Sequence, residues 1–184
     1  SSRIIMAQQM GVPYDKRTKI EVLKELNDSG VKAYPNVHPS YLLSNLSTQN
    51  GLLTTHGKFF PLGGISNNLM VQANECGYYL IYKGDKFGFH NPDVGLQYNQ
   101  IDILMTGDSF TEGWSVKSEE NIGAVLQEIG FNVVNIGKSG NGPLLEFVAL
   151  KEYEEPLKPK IVLWIYYVND LGDLKNEMKS SILR

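Results

Sequence analysis

The second half of the chain alternates apolar runs with segments of helical character, and this alternation restricts the fold more than any other feature. Three apolar runs predict strands: 101–106, 132–136 and 160–167. Three further segments predict helices: about 118–129, 143–155, and about 170 to the end. Strands that alternate with helices indicate a parallel sheet. With right-handed crossovers, the pattern predicts an α/β fold with three layers, helices on both faces of the sheet.

Local signals mark the ends of these elements. Ser118 is a predicted N-cap and Gly130 a predicted end for the first helix, while Pro143 fits the first turn of the second helix. Pro156, together with Pro159, is predicted to stop that second helix. The run from 161 to 167 is apolar on both faces, which is typical of a central parallel strand covered by helices on each side.

The first half of the chain reads differently, and we predict it to be an extension over 1–95 that packs on a main domain over 96–184. A helix is expected at 15–29, with Asp15 as N-cap and Gly30 as C-cap. Residues 31–66 read as an irregular connection, part of which packs on the main body. Alternation over 69–82 predicts two strands around a turn at 74–77.

Composition excludes several classes of protein. The 184 residues are 42% apolar and 20% charged, which suits one domain with an appendage and a buried core. The net charge of −3 and the absence of a basic stripe argue against a nucleic-acid partner. The lone Cys76 excludes an internal disulfide and is expected to pack as a small apolar residue. Metal-ligand spacing is absent from the sequence, so neither a metal nor another cofactor is predicted.

The two ends of the sequence suggest a piece of a longer protein. The first residues include neither an initiator Met nor a signal-peptide core, and the last residues read as the middle of a helix. The sequence has no run of 18 apolar residues, so we expect no membrane span in it, and an anchor in the full-length protein is compatible with this. A sheet that ended at strand 160–167 would leave an unpaired edge, which predicts marginal stability or self-association.

The chemistry is predicted where the strands end. Gly107, Asp108 and Ser109 follow the first strand, a Gly-, Ser- and Asn-rich loop at 135–142 follows the second, and Asn169 follows the third. Loops at the carboxyl ends of parallel strands are where such sheets bind ligands. Ser109 could act as a nucleophile with its own N–H facing an oxyanion. The N–H of Gly140 and the amide of Asn169 could supply two further donors.

Simpler roles stay open for each of these residues. Ser109 also suits a helix N-cap in a tight turn, Gly140 suits a turn, and Asn169 with Asp170 suits the start of the last helix. The Gly-rich stretch 137–142 resembles a phosphate cradle before a helix, but it has neither the Walker lysine placement nor the dinucleotide fingerprint.

Taken in order, the Ser, Gly and Asn blocks after successive strands resemble the SGNH (GDSL-type) serine hydrolases. The resemblance implies a flavodoxin-like parallel sheet in a three-layer sandwich. It also implies Ser109 as nucleophile, Gly140 and Asn169 as the oxyanion hole, and Asp108 as support for the turn. It covers 101–170, preceded by a lead-in at 83–92 whose D-x-x-G-F-x-N-P pattern is similar to that of envelope-associated members.

Two departures from the family pattern change the expectation. The family base is a His in a D-x-x-H motif near the C-terminus, whereas the three histidines here, His38, His56 and His90, all precede Ser109. Tyr167 stands where the family has Gly, and the larger side chain is expected to narrow the pocket. Truncation explains the missing His and the missing last strands together. We therefore expect an inactive chain whose base lies outside it.

The resemblance implies acyl transfer to water or to a sugar hydroxyl. The expected function is that of an esterase, O-acyl transferase or deacetylase acting on an acylated carbohydrate or small ester. For the location of the protein, the resemblance favours the cell envelope, and the cytoplasm stays open. The alternative is a non-catalytic SGNH-fold module that binds a ligand or has a structural role. Oligomeric state and substrate identity are left open.

A few other residues have two interpretations. His90 in the lead-in could fold over the site, although a lone His in such a turn is more often packed or at the surface. Phe110, Trp114 and Tyr167 could line a substrate pocket, although aromatic residues near strand ends are more often part of a core.

Overall fold

The computed structural model describes residues 2–44, 51–92, 96–180 and 182–183. The described part is a mixed α/β structure with several sheets. Its helices are α1 (Ser2–Met10), α2 (Lys19–Asp28), α3 (Pro39–Ser44), α4 (Ser109–Glu112), α5 (Ile122–Glu128), α6 (Pro143–Leu157) and α7 (Asp170–Glu177). Its strands are β1 (Ala33–Pro35), β2 (Leu52–Thr54), β3 (Gly57–Phe59), β4 (Leu69–Asn74), β5 (Tyr79–Lys83), β6 (Ile103–Gly107), β7 (Val133–Asn135) and β8 (Ile161–Ile165).

The predicted parallel sheet is present, with the strand order β7-β6-β8. Leu104 in the middle strand pairs in parallel with Val134 on one side and with Val162 on the other. All five residues of β6 are buried. This strand is therefore the one whose carboxyl end has neighbouring strands on both sides.

The prediction that 160–167 is a central strand is wrong for the described residues. β8 pairs with β6 alone among the described strands, and Ile161 and Val162 are 55% and 39% exposed. An apolar sequence on both faces indicates that both faces of a strand can be buried against helices. It does not determine how many neighbours the strand has.

The main core lies between the parallel sheet, α6 and the lead-in segment. Leu104, Ile136 and Ala149 are packed there with Phe89, which is fully buried. The lead-in is fixed by Asp85, whose carboxylate accepts hydrogen bonds from the backbone N–H of Phe87 and of Phe89 at 2.8 and 2.9 Å. Residues before 96 therefore contribute to the same core as the parallel sheet.

The first half of the chain is more regular than its sequence indicated. The predicted hairpin at 69–82 is confirmed as β4 and β5, and β1 adds to it in parallel. The region 31–66 was predicted to be irregular, yet it contains β1, α3 and the hairpin β2–β3. Pro35, Pro39 and Gly57 lie within these elements, so their sequence shows no sustained apolar or alternating run. Residues 45–50 of this region lie outside the described residues.

Two predicted N-caps are displaced. Helix α2 is capped by Thr18, which forms a reciprocal capping box with Glu21, whereas the carboxylate of Asp15 binds Arg17. Helix α5 is capped by Asn121, whose side chain accepts from the N–H of Ala124 at 2.9 Å. Ser118 begins a short 3-10 turn instead. In both cases a better acceptor lies three residues further along.

The remaining local predictions have mixed outcomes. The C-cap of α2 is Ser29, and Gly30 follows it with φ +84°. Pro156 does not stop α6, which continues through it to Leu157 and is followed by Lys158 in the left-handed region. Cys76 is exposed and does not pack as predicted.

None of the helices in the described part of the chain combines the length and apolar character needed to cross a bilayer.

Candidate functional site

The candidate site begins where β6 passes into α4. At Gly107 a side chain is excluded, because a Cβ there would lie 2.1 Å from Thr111 Oγ1 and 2.7 Å from the Ile165 carbonyl oxygen. The close approach lets the chain turn directly from the strand into the helix that starts at Ser109. Ser109 is half-buried at this turn, which is where the sequence predicted a hydroxyl.

Asp108 connects Ser109 with Asn169. One of its carboxylate oxygens accepts a hydrogen bond from the N–H of Phe110 at 2.9 Å and caps α4. The other oxygen accepts from the Ser109 hydroxyl at 3.4 Å and from the Asn169 amide at 3.1 Å. The hydroxyl and the amide are therefore brought to the same buried carboxylate, although they are 60 residues apart in the chain.

The amide of Asn169 has a second acceptor. Its nitrogen also donates to the Asp173 carboxylate, one turn further along α7, at 3.0 Å. Asp170 does not cap α7 by reaching forward. Its carboxylate instead accepts from the N–H of Tyr167 at 2.6 Å, which closes the turn after β8. Both hydrogens of the Asn169 amide are thus directed at carboxylates.

Gly140 lies on the neighbouring loop and faces a different part of the chain. It is exposed with φ +75°, and a Cβ there would meet Ser40 Oγ at 2.7 Å and His38 Nδ1 at 3.2 Å. Its loop reaches the Ser109 turn through the N–H of Lys138, which donates to the Gly107 carbonyl at 3.0 Å. The structure thus joins Ser109 to Asn169 through the Asp108 carboxylate, and it joins the Gly140 loop to the same turn through Lys138 and Gly107.

A buried ion pair, which the sequence analysis did not predict, links α4 to the loop that carries Gly140. Lys138 in the Gly140 loop and Glu112 in α4 are almost completely buried, with nitrogen and oxygen 2.9 Å apart. The other Glu112 oxygen accepts from the N–H of Ser139 at 2.7 Å. Asn36 bonds to both members, donating to Glu112 at 2.9 Å and accepting from Lys138.

The pair is charged in spite of its burial. Burial acts to raise the pKa of Glu112, but the charge of Lys138 and the hydrogen bonds from Ser139 and Lys138 outweigh it and lower that pKa to about 2. Burial acts to lower the pKa of Lys138, and Glu112 together with Tyr82 raises it instead. No feature of the sequence links these residues, because Glu112 ends α4, Lys138 lies in the loop after β7, and no motif relates the two positions.

His90 packs beneath the same pair. Its ring stacks on Tyr82 with centroids 4.1 Å apart, and Nδ1 lies 3.0 Å from the Glu112 carbonyl oxygen. A carbonyl only accepts, so Nδ1 carries the proton, and Nε2, 2.8 Å away, accepts from the Ser118 hydroxyl. Burial lowers the pKa of this histidine. Both ring nitrogens are occupied, so His90 is a packed residue and has no lone pair directed at Ser109.

Three more acidic side chains lie behind the site. Burial raises the pKa of Glu146 to about 8, opposed by a hydrogen bond from Trp164 and assisted by the negative charge of Asp170. The indole donates to Glu146 at 2.7 Å. Burial also raises the pKa of Glu177, which accepts from the N–H groups of Gly142 at 2.7 Å and Leu144 at 2.8 Å. Glu146 is therefore protonated at neutral pH.

Aromatic side chains surround the exposed side of the turn. Phe110 and Tyr167 lie with centroids 4.1 Å apart and are about half exposed. Trp114 is half-buried against His38, with ring centroids 4.8 Å apart. His56 is exposed at the turn of the β2–β3 hairpin. In the part of the chain that the structure describes, no group of three or more His, Cys, Asp or Glu residues could hold a metal ion.

Comparison with known proteins adds no assignment to this geometry. No protein-family model matches the chain, and no match is found among curated proteins or among solved structures.

Proposed function

We propose that the chain carries the Ser, Gly and Asn blocks of an SGNH-type serine hydrolase that acts on an ester, with an acylated carbohydrate or a small ester as substrate. The proposal includes a flavodoxin-like, three-layer arrangement around the parallel sheet. The observation that supports it best is the convergence of the Ser109 hydroxyl and the Asn169 amide on one oxygen of Asp108. Three blocks in the expected order and a parallel strand ahead of each block support it further.

In this proposal Ser109 attacks the ester carbonyl carbon. Its proton passes to a base, and the carbonyl oxygen becomes an oxyanion that accepts from the N–H groups of Ser109 and Gly140 and from the Asn169 amide. The alcohol then leaves with a proton, and water releases the acyl group in a second step. The Asn169 amide must exchange an Asp108 or Asp173 contact for the oxyanion when substrate binds.

The base is the missing component in this scheme. Among the described residues, Asp108 is the side chain that hydrogen-bonds to the Ser109 hydroxyl, and at 3.4 Å that bond is long. His90 is excluded by its two bonds. The proposal places the base outside these 184 residues, so the chain alone is expected to turn over p-nitrophenyl acetate very slowly.

Chemical rescue tests the proposal directly. Added imidazole supplies a base, so we expect it to accelerate labelling of Ser109 by ethyl fluorophosphonate, read as the modified peptide by mass spectrometry. Ser118, whose hydroxyl is bound to His90, is the internal control and should stay unlabelled. Asn169→Ala should slow the rescued labelling by roughly 10²–10³-fold, as expected for the loss of one oxyanion donor. An unmodified Ser109 at saturating imidazole would contradict the hydrolase proposal.

One observation favours the second candidate, a non-catalytic module. Both hydrogens of the Asn169 amide are directed at carboxylates, and Tyr167, which stands where the family has a glycine, packs against Phe110 with its ring tilted by 35°. These contacts would suit a fixed cleft that binds a ligand without chemistry. Under this alternative Asn169→Ala changes ligand binding or stability, and imidazole has no effect on Ser109.

A further inference from the structure

A cavity of about 380 Å³ lies beside the Gly140 loop, between β1, α3 and the hairpin β2–β3. Pockets that bind small molecules span about 300–1,000 Å³, so its size is that of a ligand site. Its wall includes six side chains of mostly apolar character: Val37, His38, Leu42, Phe59, Ile65 and Met70. None of the described lining residues is Asp, Glu, Lys or Arg.

The one imidazole of this wall, that of His38, is held toward its neutral form. Burial lowers the pKa of His38, although the charge of Glu112 opposes this. The described wall is mostly apolar side chains and offers few hydrogen-bond partners beyond Tyr34 and His38, so a sugar there would bury several hydroxyls without a partner, each at a cost in free energy. Hydrocarbon has no such cost. The wall therefore suits the acyl side of an ester better than a carbohydrate alcohol.

The cavity and the candidate site share His38. Its Nδ1 lies 3.2 Å from the position of a Cβ on Gly140, and the imidazole contacts the indole of Trp114. The backbone N–H of Trp114, in turn, donates to the Ser109 carbonyl oxygen at 3.0 Å at the end of α4. An apolar compartment thus adjoins the loop that carries a proposed oxyanion donor.

We propose that this cavity binds the hydrocarbon chain of a medium-length acyl group. A cavity of about 150 Å³ accommodates a benzene molecule, so this one has room for a chain of about ten carbon atoms. The identity of the ligand as the acyl part of a substrate rests on the proposed hydrolase function. The existence of an apolar ligand site does not.

Calorimetric titration with sodium decanoate tests the site, with sodium acetate as the short-chain comparison. Decanoate should bind with a stoichiometry of one, and acetate should not bind. Val37→Trp should fill the cavity and weaken decanoate binding at least tenfold. Val12→Trp is the matched control, because Val12 is 48% exposed and Val37 is 47% exposed, and it should leave binding unchanged.

Photolabelling locates the ligand without any substitution, in case Val37→Trp fails to fold. A ten-carbon fatty acid with a terminal diazirine should modify peptides that contain residues 34–42 or 59–70. Absence of decanoate binding, undiminished binding by a folded Val37→Trp variant, or labelling confined to other peptides would each overturn the proposal.

Two further experiments are needed. One tests the cavity independently of the hydrolase function, and the other tests whether the bound chain belongs to the substrate or to an unrelated lipid. Ser109→Ala should abolish imidazole-dependent labelling at residue 109 and leave decanoate binding intact. The hydrolase proposal and the cavity proposal can therefore be contradicted independently. Decyl fluorophosphonate should label Ser109 faster than the ethyl reagent, and decanoate should compete with it. If decanoate binds but the decyl and ethyl reagents label Ser109 at equal rates, the cavity holds the tail of a separate lipid. That result would overturn the proposal that it holds the acyl chain of the ester substrate.

Discussion

At the scale of single residues, the charged pair of Glu112 and Lys138 links the two segments that carry Ser109 and Gly140. It lies between the helix that starts at Ser109 and the loop that carries Gly140, and Ser139 donates its N–H to the same carboxylate. A buried charge that loses its partner is strongly destabilising, because nothing replaces the lost hydration. The pair should therefore fix the position of Gly140 relative to Ser109.

Glu112→Ala should lower the free energy of unfolding by about 3–5 kcal/mol, because it leaves Lys138 buried and unpaired. Urea denaturation followed by circular dichroism measures this. The control is Glu75→Ala, which removes an ion pair with Arg3 whose two side chains are 38% and 53% exposed, and it should have little effect. Equal losses in the two variants would show that the buried pair has no special role.

Glu146 should give the protein an unusual pH dependence. Its pKa is raised to about 8, so the folded chain keeps a proton that the unfolded chain releases near pH 4.5. Unfolding releases a proton in this window, and stability should fall as the pH rises from about 4.5 to 8. The raised pKa values of Asp170 and Glu177 act in the same direction.

Glu146→Gln should flatten the dependence without removing it, since Asp170 and Glu177 remain. Thermal melts at half-unit pH steps measure the slope, and Glu119→Gln on the exposed surface is the control. A slope that is unchanged in Glu146→Gln would mean that this carboxyl is ionised in the folded protein at neutral pH.

At the scale of elements, the helix starts are set by the residue that can reach the free N–H groups. Asn121 is buried at the start of α5 and accepts from Ala124, while Ser118 is used by His90. Asn121→Ala should cost about 1 kcal/mol of stability, and Asn121→Ser should retain most of it. Chemical denaturation of both variants checks this; a larger loss in Ser118→Ala than in Asn121→Ala would restore the cap predicted at Ser118.

Element identity was more predictable than element boundaries. The three parallel strands, the hairpin β4–β5 and helix α6 follow from long apolar or alternating patterns, which depend on many residues at once. β1, α3 and the hairpin β2–β3 were missed, because Pro and Gly interrupt their sequences and their pairing depends on neighbours that are distant in sequence. Helix starts depend on one side chain each, so two of them were displaced.

At the scale of the whole molecule, β8 presents an open edge in the described structure. Its residues are apolar, and Ile161, Val162 and Leu163 are 55%, 39% and 37% exposed. An exposed apolar edge strand is a template for pairing with another chain. We therefore keep the prediction that this chain associates with itself in solution.

Val162→Lys should weaken that association, because a charge at the edge opposes strand pairing. Sedimentation velocity over a range of concentrations measures it. Val125→Lys on α5 is the control, since Val125 has a similar exposure of 47% but lies on a helix. A wild-type chain that is monomeric at every concentration would contradict the prediction.

The sequence by itself determined the parallel α/β character, the three strand ends and the residues that occupy them, because apolar periodicity and strand-end loops are local properties of the chain. Tertiary structure alone decided which strand is central, that Asp108 joins Ser109 to Asn169, and that Glu112 pairs with Lys138. It also placed His38 between Gly140 and an apolar cavity. These contacts join residues tens of positions apart, and their energies arise from burial, which exists only after the chain has folded.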